Sequence, residues 1–188
     1  MAEYKNYKIG DTGPAGGLVF YDWWESRTGT VYGVGTQFCL EAAPYEKEFT
    51  SAWGPKDISV EEAADGFLGE ETGSGSRAGE GNTKYIIQTL GKRDSAAKKC
   101  ADLVVKGWIT GWFLPSLYQL DLMYNNLHIK GLGNFKGIYW SSTEREFNRT
   151  DLARHACLYS FITGVHGYAY KINIFNVRAV RQFEVRPK

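Results

Sequence analysis

The sequence predicts an α+β fold, in which two or three helices lie beside a twisted antiparallel sheet and long loops join them. Three observations carry this. Apolar residues at helical spacing are confined to the middle of the chain, between residues 82 and 124. Short apolar or alternating runs bounded by Gly and Pro occupy both ends, as strands do. Glycine, at 22 of 188 residues, is frequent enough for many turns and loops.

The elements follow in order. Residues 7–21 read as strand, turn, strand, with Gly13-Pro14 and Gly16-Gly17 as the turn and 18–21 as a short apolar strand. A further strand is expected at 36–43. Residues 45–82 are polar and Gly-rich and read as a long loop region, with a short helix at 60–65. Asn82-Thr83 starts a helix to Leu90, with Tyr85, Ile86 and Leu90 on one face. Asp94-Ser95 starts a second, to about Val105, with Ala97, Cys100, Ala101 and Val104 as its apolar face. Ser116, followed three residues later by Gln119, fits a capping box for a third helix that carries Leu117, Leu120, Met123 and Tyr124. Residues 131–137 form a loop, 138–140 a core strand, and the remainder is β-rich. The first and last strands are expected near each other, in one domain spanning 1–188.

Composition narrows the function. Net charge is +1, so no overall field points to nucleic acid or to a membrane surface. Residues 144–181 are mildly basic: Arg145, Arg149, Arg154, Lys171, Arg178 and Arg181 stand against Glu144, Glu146 and Asp151. No run approaches the length of a membrane span. Residues 1–20 lack the pattern of a signal peptide. Cys39, Cys100 and Cys157 suggest neither a disulfide framework nor a metal-ligand spacing.

Several motifs invite chemistry and lack its other half. Asp11-Thr12-Gly13 matches the aspartic-protease triplet, whose mechanism needs two facing carboxylates, and no second triplet exists. The Gly-rich stretch 73–81 lacks the Lys and Ser/Thr of a phosphate-binding loop. His128, His155 and His166 have no metal-ligand spacing, and no Asp-x-Asp calcium loop appears. Asn148-Arg149-Thr150 is a glycosylation sequon.

Residues 147–176 have an unusual composition. An Asn codon, AAC or AAT, with both adenines freely replaced encodes fifteen amino acids and never Lys, Glu, Gln, Met or Trp. Those five make up 38 of the 188 residues, so about six are expected in this run, and Lys171 alone occurs. A strand-rich segment also avoids Lys and Glu. On pattern alone, Tyr168, Tyr170, Ile172 and Ile174 alternate with Ala169, Lys171 and Asn173, which reads as a strand with one buried face.

Tyr139-Trp140-Ser141-Ser142-Thr143-Glu144, the upstream block Gly111-Trp112-Phe113-Leu114-Pro115-Ser116 and the closing Val177-Arg178-Ala179-Val180-Arg181 occur in a telling order. Together with 7–21 and 40–44, they resemble the C-type lectin-like domain at the C-terminus of collagen-like bacterial adhesins. The resemblance spans about residues 7–183. The chain is also similar to the variable proteins of diversity-generating retroelements of bacteria, archaea and their viruses. There, adenine-directed mutagenesis diversifies a C-terminal repeat and changes ligand specificity.

The resemblance implies a C-type lectin-like fold and a hypervariable ligand-binding protein. The scaffold would be 7–146 and 177–183, with Trp112, Leu114, Trp140 and Phe183 in the core. The diversified surface would be 147–176. Its ligand-binding residues would be Phe147, Arg149, Asp151, Leu152, His155, Cys157, Leu158, Ser160, Val165, His166, Tyr168, Tyr170, Ile172, Ile174 and Phe175. Nine of these, Phe147, Arg149, Asp151, His155, Leu158, Val165, His166, Tyr168 and Tyr170, are expected to face solvent. Lys171 would be fixed, Gly164 would need a positive φ, and Phe161 would anchor the run in the core. The implied partner is a protein or cell-surface ligand, bound without turnover, cofactor or metal by a monomer displayed on a virion or cell surface. Two alternatives stay open. One is a fixed-sequence adhesin-type module binding polysaccharide. The other is an enzyme on the related fold of the formylglycine-generating oxidase, for which the cysteine spacing gives no support.

With no calcium or zinc spacing in the sequence, EDTA is expected to leave the melting temperature unchanged. A drop of several degrees that calcium restores would reveal ligands gathered from distant residues.

Overall fold

The computed structural model describes residues 6–25, 36–64, 75–145 and 154–186. It is α+β, with two sheets and three α-helices among these residues. The smaller sheet holds β1 (Leu18–Glu25), β2 (Thr36–Ala42) and β8 (Val180–Val185), in the order β1-β2-β8 and antiparallel throughout. The first and last strands thus both pair with β2, one on each side of it. The larger sheet holds β3 (Phe49–Ala52), β4 (Ile138–Glu144), β5 (His155–Ser160), β6 (Val165–Tyr170) and β7 (Ile174–Val177), in the order β3-β7-β4-β5-β6. Its pairs are antiparallel except β4 with β7, which meet in parallel at Tyr139 and Asn176.

The helices are α1 (Ala78–Leu90), α2 (Ala96–Ala101) and α3 (Leu117–Asn126). The capping box of α3 is present: Ser116 Oγ accepts from Gln119 N, and Gln119 Oε1 accepts from Ser116 N. This satisfies two of the N–H groups that a helix start leaves orphaned. Ser95 caps α2 through Lys98 N.

The structure corrects four expectations. First, α1 begins at Ala78, inside the stretch expected to be a loop. Gly79 is there for packing: a Cβ on it would lie 2.9 Å from the Leu114 carbonyl oxygen, against the entry to α3. Second, α2 ends at Ala101 and does not reach Val105. The chain then turns back through a Val105–Ile109 bridge, with Lys106 and Gly107 at positive φ, and Val104 is left exposed. Third, the region 45–82 also contains β3, and the helix expected at 60–65 is a single 3-10 turn at Glu61–Ala63. Fourth, residues 7–10 form no strand. Thr12 makes one isolated bridge with Leu18, and β1 runs on to Glu25.

Neighbouring residues of β4 and β5 enter different clusters. Trp140 and Leu158 pack with Trp53, Ile86, Trp112 and Leu114, while Tyr139 and Tyr159 pack with Leu120, Met123, Phe135 and Phe161. Successive strand residues point to opposite faces, so the centre of the larger sheet is covered on both sides. That explains why Tyr139–Glu144 are all buried. Trp112, Leu114, Trp140 and Phe183 are core residues, as expected from their blocks.

The Trp140 indole is fully buried and donates to the Ser51 carbonyl at 3.1 Å. Trp140→Ala is expected to cost about 3–5 kcal/mol, read as a lowered urea midpoint at unchanged slope. An unchanged midpoint would remove Trp140 from the core.

Candidate ligand-binding face

The site is built on the β5–β6 hairpin. In its register His155 faces Tyr170, Cys157 faces Tyr168, Leu158 faces Gly167 and Ser160 faces Val165. The turn is held tightly. Gly164 N donates to Ser160 O at 2.8 Å, and the Tyr159 hydroxyl donates to Gly164 O at 3.1 Å. Gly164 has φ +72°, and a Cβ there would lie 2.6 Å from the Tyr124 hydroxyl oxygen, so glycine is required twice over. Phe161 is buried against Tyr139 and Phe135, with ring centroids 4.8 and 4.9 Å away. Both residues play the parts expected of them.

From Gly167 to Tyr170 the small residues of β6 point inward and the large ones outward. Gly167 and Ala169 lie opposite Leu158 and Ala156, and Ala169 packs on the core. Val165, Tyr168, Tyr170, Ile172 and Ile174 are between 49% and 61% exposed, and His166 is exposed as well. The reading of residues 168–174 as one strand with a buried face is corrected: the strand ends at Tyr170 and a turn follows, with Ala169 and Lys171 inward and Tyr168, Tyr170, Ile172, Asn173 and Ile174 exposed. His155 is half-buried, its ring 4.4 Å from that of Tyr170 and 5.7 Å from that of Tyr168. Arg145 lies with its guanidinium 3.1 Å from the centre of the Tyr168 ring.

Not every expected binding residue reaches this face. Cys157 and Leu158 are buried, at 4% and 8% exposure. Both belong to β5, an interior strand between β4 and β6; Leu158 packs with Trp140 in the core. Ser160 is half-buried, and its Oγ accepts from Thr163 N inside the turn. Phe175 is half-buried, edge-on to Trp140 at 4.9 Å. Phe147, Arg149, Asp151 and Leu152 lie outside the described residues. Two residues were not singled out from sequence. Ile162, at the hairpin turn, is 73% exposed and also belongs to the reachable set, which was the available signal. Arg145 precedes the run, and nothing in the sequence tied it to Tyr168.

Lys171 is the exception in composition and in placement. It directly follows β6 and is fully buried. Its Nζ donates to Glu144 Oε1 at 2.8 Å and to the Ile58 carbonyl at 2.8 Å, and it lies 4.5 Å from the centre of the Trp53 ring. Glu144 in turn accepts from Val60 N at 2.7 Å and from the Ser59 hydroxyl at 3.3 Å. The Lys171 backbone is held as well: its N donates to Arg154 O, and its O accepts from Trp53 N and Gly54 N. Burial pushes the Glu144 carboxyl up from its ordinary range and the Lys171 ammonium down, while each charge opposes the shift of the other.

The other bases of the closing block are likewise engaged. Arg178 donates to Glu48 at 2.7 and 2.9 Å and to the carbonyls of Ala43 and Gly133. Arg181 pairs with Glu41 at 3.2 Å, and Glu41 also accepts from Ala15 N and Gly17 N. Three of the six bases of this region, Lys171, Arg178 and Arg181, are thus paired inside the fold. Cys39 and Cys100 are buried free thiols, and burial, followed by Asp22 and Glu41, pushes Cys39 up to about 12. Asp11 accepts from Lys8 N within the turn at the chain's start. Among the described residues no cluster of His, Cys, Asp or Glu could hold a metal ion, and no helix is long and apolar enough to cross a membrane. No protein-family model matches the chain, and no curated protein sequence matches it.

Two outcomes test this placement. Val165→Ser, His166→Ser and Ile172→Ser should each stay within about 0.5 kcal/mol of the parent, whereas Leu158→Ala should cost about 2–5 kcal/mol. Lys171→Ala should cost about 3–5 kcal/mol by stranding a buried carboxylate, and Lys171→Met with Glu144→Gln should recover most of it. Equal losses in the single and double variants, by chemical denaturation, would deny the ion pair this role.

Proposed function

We propose that this chain is a ligand-binding protein, a C-type lectin-like scaffold displaying a diversified surface like the variable proteins of the retroelements it resembles. One observation carries the reading. The side chains presented by β6, the turn after it and the start of β7, Val165, His166, Tyr168, Tyr170, Ile172 and Ile174, are all reachable from an Asn codon by adenine replacement, and all are exposed. The one residue of the run outside that set, Lys171, is sealed inside the scaffold. On this reading the exposed face admits substitution and the Lys171 position excludes it.

The composition of the face suits the role. Tyrosines supply large contact area at low entropic cost, and exposed Ile and Val add apolar area of the kind that marks interaction sites. The ligand is a protein or cell-surface molecule, held by contact alone, and display on a virion or cell surface gives such a face its use. Residues 1–188 serve as one unit, with 147–176 as its variable part. Cys157 and Leu158 are left out of the binding set because they are buried.

A library randomising His155, Val165, His166, Tyr168, Tyr170, Ile172 and Ile174 tests this reading. Most members should stay soluble, melt near the parent and differ in what they bind. The gene should also lie near a template repeat that differs from codons 147–176 at adenines only, beside a reverse transcriptase. Widespread aggregation would end the reading. A missing template would favour the fixed adhesin-type module.

A further inference from the structure

The β6 hairpin strand is inside out. Its outward side chains, Tyr168 and Tyr170, are large and aromatic, and its inward ones, Gly167 and Ala169, are small. Burial of apolar area favours the opposite arrangement. A strand's side chains alternate, so a slip of one residue against β5 would exchange the two faces. The inward position that cannot be exchanged at low cost is 171. Lys171 meets Glu144 and the Ile58 carbonyl there, and its backbone bonds to Arg154 and Trp53 hold the same register. A slip would turn the ammonium out toward solvent, away from a carboxylate that is itself 2% exposed, leaving that buried charge without its partner.

We propose that the Glu144–Lys171 pair is a register lock, and that these two are positioning residues that hold the tyrosine face in solvent against its own hydrophobicity. Glu144 ends β4 and Lys171 follows β6, so the pair joins the end of one strand to the end of the other. Gly167 and Ala169 assist by filling little of the inner face, with Leu158 Cδ1 3.6 Å from where a Gly167 Cβ would be. The lock would let the outward side chains vary, apolar ones included, without a change of register. The inference rests on exposure and not on ligand binding. A face that binds nothing leaves it intact, and an unlocked strand leaves the proposed function intact.

The test is a cycle of four proteins, read by cross-strand backbone NOEs between β5 and β6. One change removes the pair: Lys171→Met with Glu144→Gln. The other makes the face polar: Tyr168→Ser with Tyr170→Ser. Removing the pair under the native face should replace the single 157–168 register with a shifted or mixed one in a protein that still folds, and a variant that fails to fold there would overturn the proposal. Removing it under the polar face should leave the 157–168 register intact, because nothing then pulls the strand over. The same register in all four proteins would overturn the proposal. So would loss of register or of folding in both backgrounds, which would make the pair a general support, or loss under the polar face alone.

Discussion

The structure depends on the burial of both faces of β4. A strand covered on two sides offers no solvent to its polar side chains, so each must find a partner inside. The block from Tyr139 to Glu144 meets this demand residue by residue. Tyr139 donates to Glu48 and accepts from Lys136 N, and Ser141 donates to the Cys157 carbonyl. Ser142 accepts from Asn82, Thr143 accepts from Leu117 N, and Glu144 takes Lys171. Through these bonds one strand ties α1, α3, β5 and the end of β6 together. The block is polar because it is a junction, and its neighbours are placed by what it needs.

The same principle accounts for the charges of the C-terminal region. Counted along the chain, residues 144–181 look basic. In space, Lys171, Arg178 and Arg181 each meet a carboxylate from a distant segment, Glu144, Glu48 and Glu41. Ion pairs of this kind add little net stability but are costly to break singly. They specify which segments meet. What β6 and the residues after it present outside is a face of aromatic and aliphatic side chains, with Arg145 against Tyr168.

That face sits on a hairpin secured at both ends. Phe161 and Gly164 fix the turn against α3 and the core, and Lys171 fixes the base against β4. Between these anchors, Gly167 and Ala169 point inward and Tyr168 and Tyr170 outward. A surface of this design is expected to take substitutions as a change of contact and not of fold, because its backbone hydrogen bonds run to β5 and its side-chain anchors lie at its two ends.

The α+β class, the capping box of α3, the core placement of Trp112, Leu114, Trp140 and Phe183, the anchor at Phe161 and the glycine at 164 were legible in the sequence. Each follows from local chemistry or from a block of residues whose environment is uniform. Codon arithmetic also marked Lys171 as unlike its neighbours. Tertiary structure alone decided which way β6 faces. Alternation tells that two faces differ and not which one is buried, and the apolar pattern of Tyr168, Tyr170, Ile172 and Ile174 pointed inward. The choice belonged to Glu144, twenty-seven residues before Lys171, and to the strap at 58–60. Burial of Leu158 was likewise decided by its packing with Trp140 and Leu114 on one face of the sheet. The start of α1 among glycines was decided by the close approach of Leu114 to Gly79. These are contacts between segments far apart in sequence, and no local pattern encodes them.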